Sequence, residues 1–342
     1  KEDIMKKRII SLAAAAVFVI GTLAGCGNSS TQTTDKTASS DASSSGGDLV
    51  TVRDAVMTGQ LDQYATEIGL WQGIFEKYGI DLQTTEFVAG INTIDAVVNG
   101  AADIGMMADY AAVNRLGNTL DATNLQIFSQ ISGGQSALSG GLYVDPKYAD
   151  DPKSLDGSAG FMYQEGTVTY YYASKCIEYL GLDESKQNLI NTDSSQTRLA
   201  LIQKGGASAV YANGSEAKYI EEAGWVQVAT SQEIGIQTGS YFLSTDKYIS
   251  ENTDTLAKFL QAVDESTQYI NDHLDESAEY LADKLGLKAE DFKENWKNYS
   301  FEPGFSEEAT AHLEDIEKWG FEHGSFPKDY NVRDFINTDV AK

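Results

Sequence analysis

The chain holds only two cysteines in 342 residues, Cys26 and Cys176. With Cys26 modified as argued below, no intramolecular disulfide can form. Cys176 shares an apolar helical face with Ala173, Ile177 and Leu180, the setting of a buried, inert thiol rather than of a nucleophile. Histidine is as scarce. His273, His312 and His323 lie far apart with no metal-ligand spacing, so neither a metal site nor a cofactor is expected. Basic charge is short as well: 25 Lys and Arg stand against 51 Asp and Glu, a net charge of −26. Nucleic-acid binding needs a basic footprint, and attachment to anionic lipids needs a polybasic segment; both are excluded. Such acidity speaks for solubility and self-repulsion and leaves the ligand open. No P-loop, dinucleotide fingerprint or Ser–His–Asp grouping is present, so no enzyme is indicated.

The first residues carry the clearest signal. Lys6, Lys7 and Arg8 precede an apolar run over 9–23, which ends in Leu23-Ala24-Gly25-Cys26. A basic start, a short apolar segment and small residues before a cut site are the parts of a secretory signal. The run is about 15 residues long, short of the roughly 20 that cross a bilayer as a helix. It resembles a bacterial lipoprotein signal, in which cleavage before the cysteine is followed by lipidation of its thiol. Residues 1–25 are then a signal peptide and Cys26 the lipid site. Residues 26–48 form a Ser/Thr-rich linker that cannot bury enough surface to fold. As a flexible coil it spans roughly 25 Å. The first 25 residues hold four bases against two acids, which leaves the remainder at −28.

From residue 49 on, short apolar runs alternate with helical patterns. Strands are expected at 49–56, 80–88, 102–107 and 125–131, with helices at 61–77, 91–98 and 111–116 between them. A second series begins at 140–144 and runs through 160–163, 168–180, 189–190, 197–204, 209–211, 215–223 and 225–228. A last strand is expected at 241–243, and everything after 250 reads as helix. Strand and helix in alternation imply parallel pairing. Roughly 295 residues suit two lobes better than one core, and in open α/β sheets the ligand sits at the carboxyl ends of the strands.

Several segments together resemble the nitrate/sulfonate/taurine type of ABC solute-binding protein, the group that includes binders of thiamine pyrimidine precursors. They are the run Trp71-Gln72-Gly73-Ile74-Phe75-Glu76-Lys77-Tyr78-Gly79, then Phe87-Val88-Ala89-Gly90, then Asn99-Gly100-Ala101-Ala102-Asp103-Ile104. Ser154-Leu155-Asp156-Gly157, Gly166-Thr167 and the terminal Asp334-Phe335-Ile336 complete the set. Ser158 stands where the family has lysine, and Gly205-Gly206-Ala207-Ser208-Ala209 lacks the family's acid. The resemblance covers roughly 49–336. It implies an α/β type II periplasmic-binding fold, two lobes joined by two crossing strands with a cleft between them. Lobe 1 would combine 49–139 with 241–342, and lobe 2 would hold 140–240. It further implies a monomer that delivers a small organic solute to an ABC permease and its ATPase. Relatives that make pyrimidine precursors would want a cysteine cluster and a lysine–histidine pair, which are missing here. A sensory or adhesive lipoprotein is the remaining alternative.

Loops that follow strands and open helices are the expected contacts, because a helix N-terminus offers free N–H groups and partial positive charge. Gln60 lies in the first, Gly90, Ile91 and Asn92 in the second, and Glu165, Gly166 and Thr167 with Thr169 in the third. Asp109 and Tyr110 follow the third strand, where Asp109 either accepts from a solute amine or caps its helix. Asn213 and Glu216 occupy the matching loop of the second series, and Gln135 the first crossing. Of Tyr170, Tyr171 and Tyr172 only one can face a cleft, and Tyr170 is taken as that residue. Asp62 is expected on the outer side of its helix, away from the solute. Acids near helix N-termini suit a solute that joins an oxygen-rich head to an amine or donor-bearing ring: first a taurine-like aminosulfonate, second an aminopyrimidine.

Overall fold

A computed structural model describes residues 49–120, 122, 124–134, 140–297, 299–301 and 303–341. The signal at 1–25, the linker at 26–48 with Cys26, and Gln135 lie outside the described residues. Residues 47–342 form one compact unit.

The first sheet has the order β2-β1-β3-β10-β4. Strand β1 (Val50–Met57) pairs in parallel with β2 (Ile80–Phe87) and β3 (Ile104–Ala108). Strand β4 (Leu125–Gly134) closes the edge. The second sheet has the order β7-β6-β8-β5-β9. It is built from β5 (Gly140–Val144), β6 (Phe161–Tyr163), β7 (Leu189–Asn191), β8 (Ala209–Asn213) and β9 (Val226–Thr230). The expectation of all-parallel sheets needs correction at two places. Strand β10 (Thr238–Thr245) runs antiparallel to β3 and β4, and β5 runs antiparallel to β8 and β9. These are the strands by which the chain enters each sheet from the other one. An entering strand comes without a crossover helix on its own sheet, so nothing forces it to run parallel. The chain rejoins the first sheet at Thr238, three residues before the expected strand.

Helices α1 (Leu61–Trp71), α2 (Ile74–Lys77), α3 (Gly90–Val98) and α4 (Asp109–Thr119) accompany the first sheet. One helix was expected across 61–77, but it breaks at Gly73, whose φ of 67° is left-handed. The apolar period survives the break because Ile68, Ile74 and Phe75 all enter the same core. Helix α1 has a tight contact at Gly69, where a Cβ would lie 2.4 Å from the Phe75 ring and 2.5 Å from Ser266 Oγ. The second sheet carries α5 (Val168–Tyr179), α6 (Ser195–Gln203), α7 (Gly214–Glu222) and α8 (Ser231–Ile234). Helix α8 was not expected. It is one short turn set by a capping box, in which Thr230 and Glu233 exchange bonds. The tail forms α9 (Asp246–Asp272), α10 (Leu274–Leu285), α11 (Ala289–Trp296) and α12 (Glu307–Glu322).

Three clusters hold the molecule. One lies between the first sheet and α1, α9, α10 and α11, with Phe75, Phe128, Phe242 and Phe259 fully buried. Another packs α3, α4 and α12 on the opposite face and continues into the second sheet through Tyr171, Tyr172 and Phe161. The third, with Val210, Ile220 and Trp225, covers the far face of the second sheet. Helix α12 touches both sheets' helices: Tyr171 donates to Asp315 at 2.6 Å, and Lys175 pairs with the same carboxylate at 2.9 Å. Cys176 is fully buried, and desolvation pushes its thiol up, as befits a packed residue.

Candidate functional site

A cavity of about 520 Å³ opens where loops of the two sheets face each other. One wall comes from the first sheet: Met57 at the end of β1, Ala89 to Ile91 before and in α3, and Met107 to Ala111 across β3 and α4. The other is the start of α5, with Gly166, Thr167 and Val168. The carboxyl ends of parallel strands leave helix N-termini pointing inward, which is why these loops converge. Gly90 has a specific reason to be glycine. A Cβ there would stand 3.2 Å from the Met106 carbonyl, so a side chain would push α3 and β3 apart by a few tenths of an ångström. Gly166 has φ 74°, a turn that other residues resist.

Six of the sequence candidates line this cavity: Gly90, Ile91, Asp109, Tyr110, Gly166 and Thr167. The Thr167 hydroxyl caps α5, accepting from Thr169 N at 3.3 Å and donating to Gln164 O at 2.8 Å. The other candidates among the described residues do not line it. Gln60 is the half-buried N-cap of α1, and Asn92 is exposed with its N–H bonded to Ala89 O. Thr169 Oγ1 accepts from Gln164 N at 2.8 Å. Tyr170 packs on Tyr163, 4.5 Å between centroids, and edge-on to Trp319 at 5.1 Å, so it belongs to the seam between α5 and α12. The tyrosine on the cavity is Tyr110. Asn213 is the exposed N-cap of α7.

The acids expected around the solute are engaged within the protein. Glu165 exchanges two bonds with Asn191, at 3.1 and 3.2 Å. Glu216 pairs with Arg198 at 2.6 Å, and Arg198 also donates to Thr192 Oγ1. Asp109, 2 % exposed, accepts from Tyr110 N, from Gly239 N at 2.8 Å and from His312 Nε2 at 2.8 Å. It ties the start of α4 to the chain entering β10 and to α12. Asp62 also departs from expectation. It is fully buried rather than outward, and its Oδ2 accepts from Met57 N at 3.1 Å, holding the loop at the cavity's edge.

Sequence reasoning passed over one wall of the cavity, the face of α4 that carries Ala111, Asn114, Arg115 and Asn118. The spacing of three and four residues was visible, but polar residues on a helix normally read as a solvated face. Arg115 lines the cavity and pairs with Asp95 of α3 at 2.8 Å. Among the described residues no group of three metal-capable side chains comes together.

Comparison with known proteins is consistent with this architecture. Residues 68–277 match the family described as NMT1/THI5 like. The chain belongs to the NMT1/THI5-like family. No curated protein matches it. Among solved structures it is similar to the periplasmic aliphatic sulphonate binding protein SsuA from Escherichia coli, with a TM-score of 0.69 and 16 % identity over 84 % of this chain and 92 % of that one. The alkanesulfonate-binding protein SsuA from Xanthomonas axonopodis pv. citri bound to MOPS gives a TM-score of 0.61 and 14 % identity, covering 85 % and 99 %. The periplasmic nitrate-binding protein NrtA from Synechocystis PCC 6803 gives 0.58 and 14 %, covering 85 % and 87 %. At this identity the likeness is one of fold: this family member has the periplasmic-binding fold of two α/β sheets facing a cleft.

Proposed function

We propose that the chain is the extracytoplasmic solute-binding subunit of an ABC importer, anchored through lipid on Cys26, that captures one small organic solute and hands it to a membrane permease and its ATPase. It acts by binding alone. Lobe 1, about 49–139 with 241–342, and lobe 2, about 140–240, would close on the solute. The observation that carries this reading is the cavity of about 520 Å³ whose walls come from the strand ends of one sheet and the first turn of α5 on the other. A solute touching both walls favours the closed arrangement by its differential affinity. The binding proteins of similar fold support the role.

Of the two solute classes suggested by sequence, the ring-bearing one suits the cavity better than the taurine-like aminosulfonate. A zwitterion needs donors at its anionic end, which the starts of α3 and α5 can offer, and a free carboxylate for its amine. Here Arg115 is held by Asp95, and Asp109, Glu165 and Glu216 are engaged with protein groups. The remaining wall is mostly apolar, with Met57, Met107, Ile91 and Val168, and its size falls in the range of pockets that enclose drug-sized ligands.

Screening donor-bearing rings, sulfonates, nitrate and carboxylates by thermal shift tests the role. A solute at about a hundred times its Kd should stabilise the fold by roughly 2.7 kcal/mol. The same solute should reduce the radius of gyration measured by small-angle scattering. A saturated complex with an unchanged radius would speak against capture by closure. For the anchor, Cys26→Ala should abolish incorporation of labelled fatty acid in cells; equal labelling of variant and wild type removes the lipoprotein reading.

A further inference from the structure

The two walls of the cavity are joined behind it by one face of α12, a link that matters only on the reading of the cavity as a solute site between two lobes. His312, Asp315 and Trp319 share that face at helical spacing. His312 Nε2 meets Asp109, a residue of the first wall, at 2.8 Å. One turn on, Asp315 reaches the helix that carries the second wall. Its Oδ2 accepts from the Tyr171 hydroxyl at 2.6 Å and from Lys175 Nζ at 2.9 Å. Burial opposes the charge of Asp315, but Tyr171 and Lys175 outweigh it and hold the carboxyl below its usual range. Trp319 fills the seam beside these bonds. It lies edge-on to Tyr170 and Tyr171, at 5.1 and 5.5 Å, and 6.1 Å from Tyr110 on the cavity. Val168, Tyr171 and Lys175 stand on successive turns of α5, and the helix rises only about 10 Å from the first to the last. Holding Tyr171 and Lys175 therefore holds Gly166, Thr167 and Val168, the turn that forms the second wall.

We propose that Asp315 is a positioning residue of the cleft: it clamps α5 to α12 and keeps the two walls facing each other at binding distance before any solute arrives. Asp315 does not line the cavity and acts through Tyr171 and Lys175. Apparent affinity scales with the fraction of molecules already in the competent arrangement. The clamp therefore raises affinity without choosing the chemistry of the solute. Its side chain is 48 % exposed, so truncating it leaves no void in the core.

Spin labels on Glu86→Cys of β2 and Glu222→Cys of α7, both exposed positions, report the distance between the lobes by double electron–electron resonance in the full chain with Cys26→Ala. Cys176 is fully buried and takes no label. Without solute the parent chain should give one dominant distance. Asp315→Ala should add a longer one and raise its share relative to the short one by roughly fivefold, the upper end for a half-exposed charge-assisted contact. Asp315→Glu should restore the short distance, and Lys175→Met should fall between. Labels on exposed Asp150→Cys and Glu222→Cys, both within 140–240, should keep one distance in every variant, whereas a general loosening of the fold would change it. An Asp315→Ala distribution identical to the parent, a shift that Asp315→Glu fails to reverse, or an equal shift in the control pair overturns the clamp. Taurine and 4-aminopyrimidine, titrated by calorimetry into the parent and Asp315→Ala, separate the clamp from the reading of the cavity. A probe that binds the parent should bind Asp315→Ala roughly threefold or more weakly, through the lost competent fraction; equal affinity overturns the clamp and leaves solute capture standing. If neither probe binds while Asp315→Ala still lengthens the distance, the clamp stands and the proposed solute classes fail.

Discussion

Asp62→Asn should raise the unfolding temperature at pH 8 by several degrees and leave it nearly unchanged at pH 4. Asp54 on β1 and Asp62 on α1 are 1 % and 0 % exposed. Both oxygens of Asp54 and Oδ1 of Asp62 have no hydrogen-bond partner. Burial pushes Asp62 up to about 7, against the pull of the Met57 N–H, and burial followed by repulsion from Asp62 pushes Asp54 well above the usual carboxylate range. The folded protein therefore keeps a proton on Asp62 that the unfolded chain releases near pH 4. Stability is fully present below about pH 4, falls as pH rises, and levels off once Asp62 ionises near 7, since it declines wherever the folded state binds more protons. Three units at about 1.36 kcal/mol each set a ceiling of roughly 4 kcal/mol for this one group. Asparagine accepts the Met57 N–H without ionising, so the variant should lose the share of the slope that comes from Asp62 and keep the share of buried Asp54. Repulsion among the many surface acids also grows with pH, so exposed Asp254→Asn is the control. If calorimetric scans from pH 4 to 8 show the same slope for wild type, Asp62→Asn and Asp254→Asn, the buried carboxyl is not the source.

The same residues show why part of this molecule was legible in its sequence and part was not. Strand ends followed by glycine stood out at Gly90 and Gly166, because backbone that must approach closely or turn left-handed leaves a mark in composition. The order of strands and helices was legible for a similar reason, since their periods are local. What depends on partners far along the chain left no local mark. Asp109 meets His312 across 203 residues, and nothing near either position announces the other. Asp62 follows Leu61 at the start of a helix, where an acid normally favours the N-terminal dipole and faces water; only the fold places β1 and its Asp54 over it. The direction of β5 and β10 was equally hidden, because an apolar run carries no sign of which sheet it arrives from. The α4 wall was lost to a default: Asn114, Arg115 and Asn118 have the composition of a wet surface and the position of a cavity lining.

The network at Asp109 carries the other large expected effect. Asp109→Ala should cost about 3–5 kcal/mol of unfolding free energy, the range for removing one partner of a buried pair. A carboxylate only accepts, so Gly239 N–H and His312 Nε2–H both donate to it. Without it, two buried donors at the return crossing are stranded, each at about 1–3 kcal/mol. Asp109→Asn should be milder but not silent. Its amide oxygen can take the Oδ2 position, where Gly239 and His312 both donate, yet its NH2 then faces the Tyr110 N–H, a donor against a donor. Sequence alone gave Asp109 a direct role toward a solute amine, with a tenfold or greater loss of binding in Asp109→Asn. With both oxygens already engaged, we expect any loss of solute affinity to follow the weakened return crossing instead, and His312→Gln, which is not on the cavity wall, to share it. Urea unfolding of Asp109→Ala, of His312→Phe and of the double variant Asp109→Ala/His312→Phe separates the cases. Removing both partners leaves the Gly239 and Tyr110 N–H groups without their acceptor but no longer strands the imidazole, so the double variant should be destabilised by clearly less than the two single variants together. Strict additivity, or an Asp109→Ala protein as stable as wild type, would mean that the crossing is held by something other than this carboxylate.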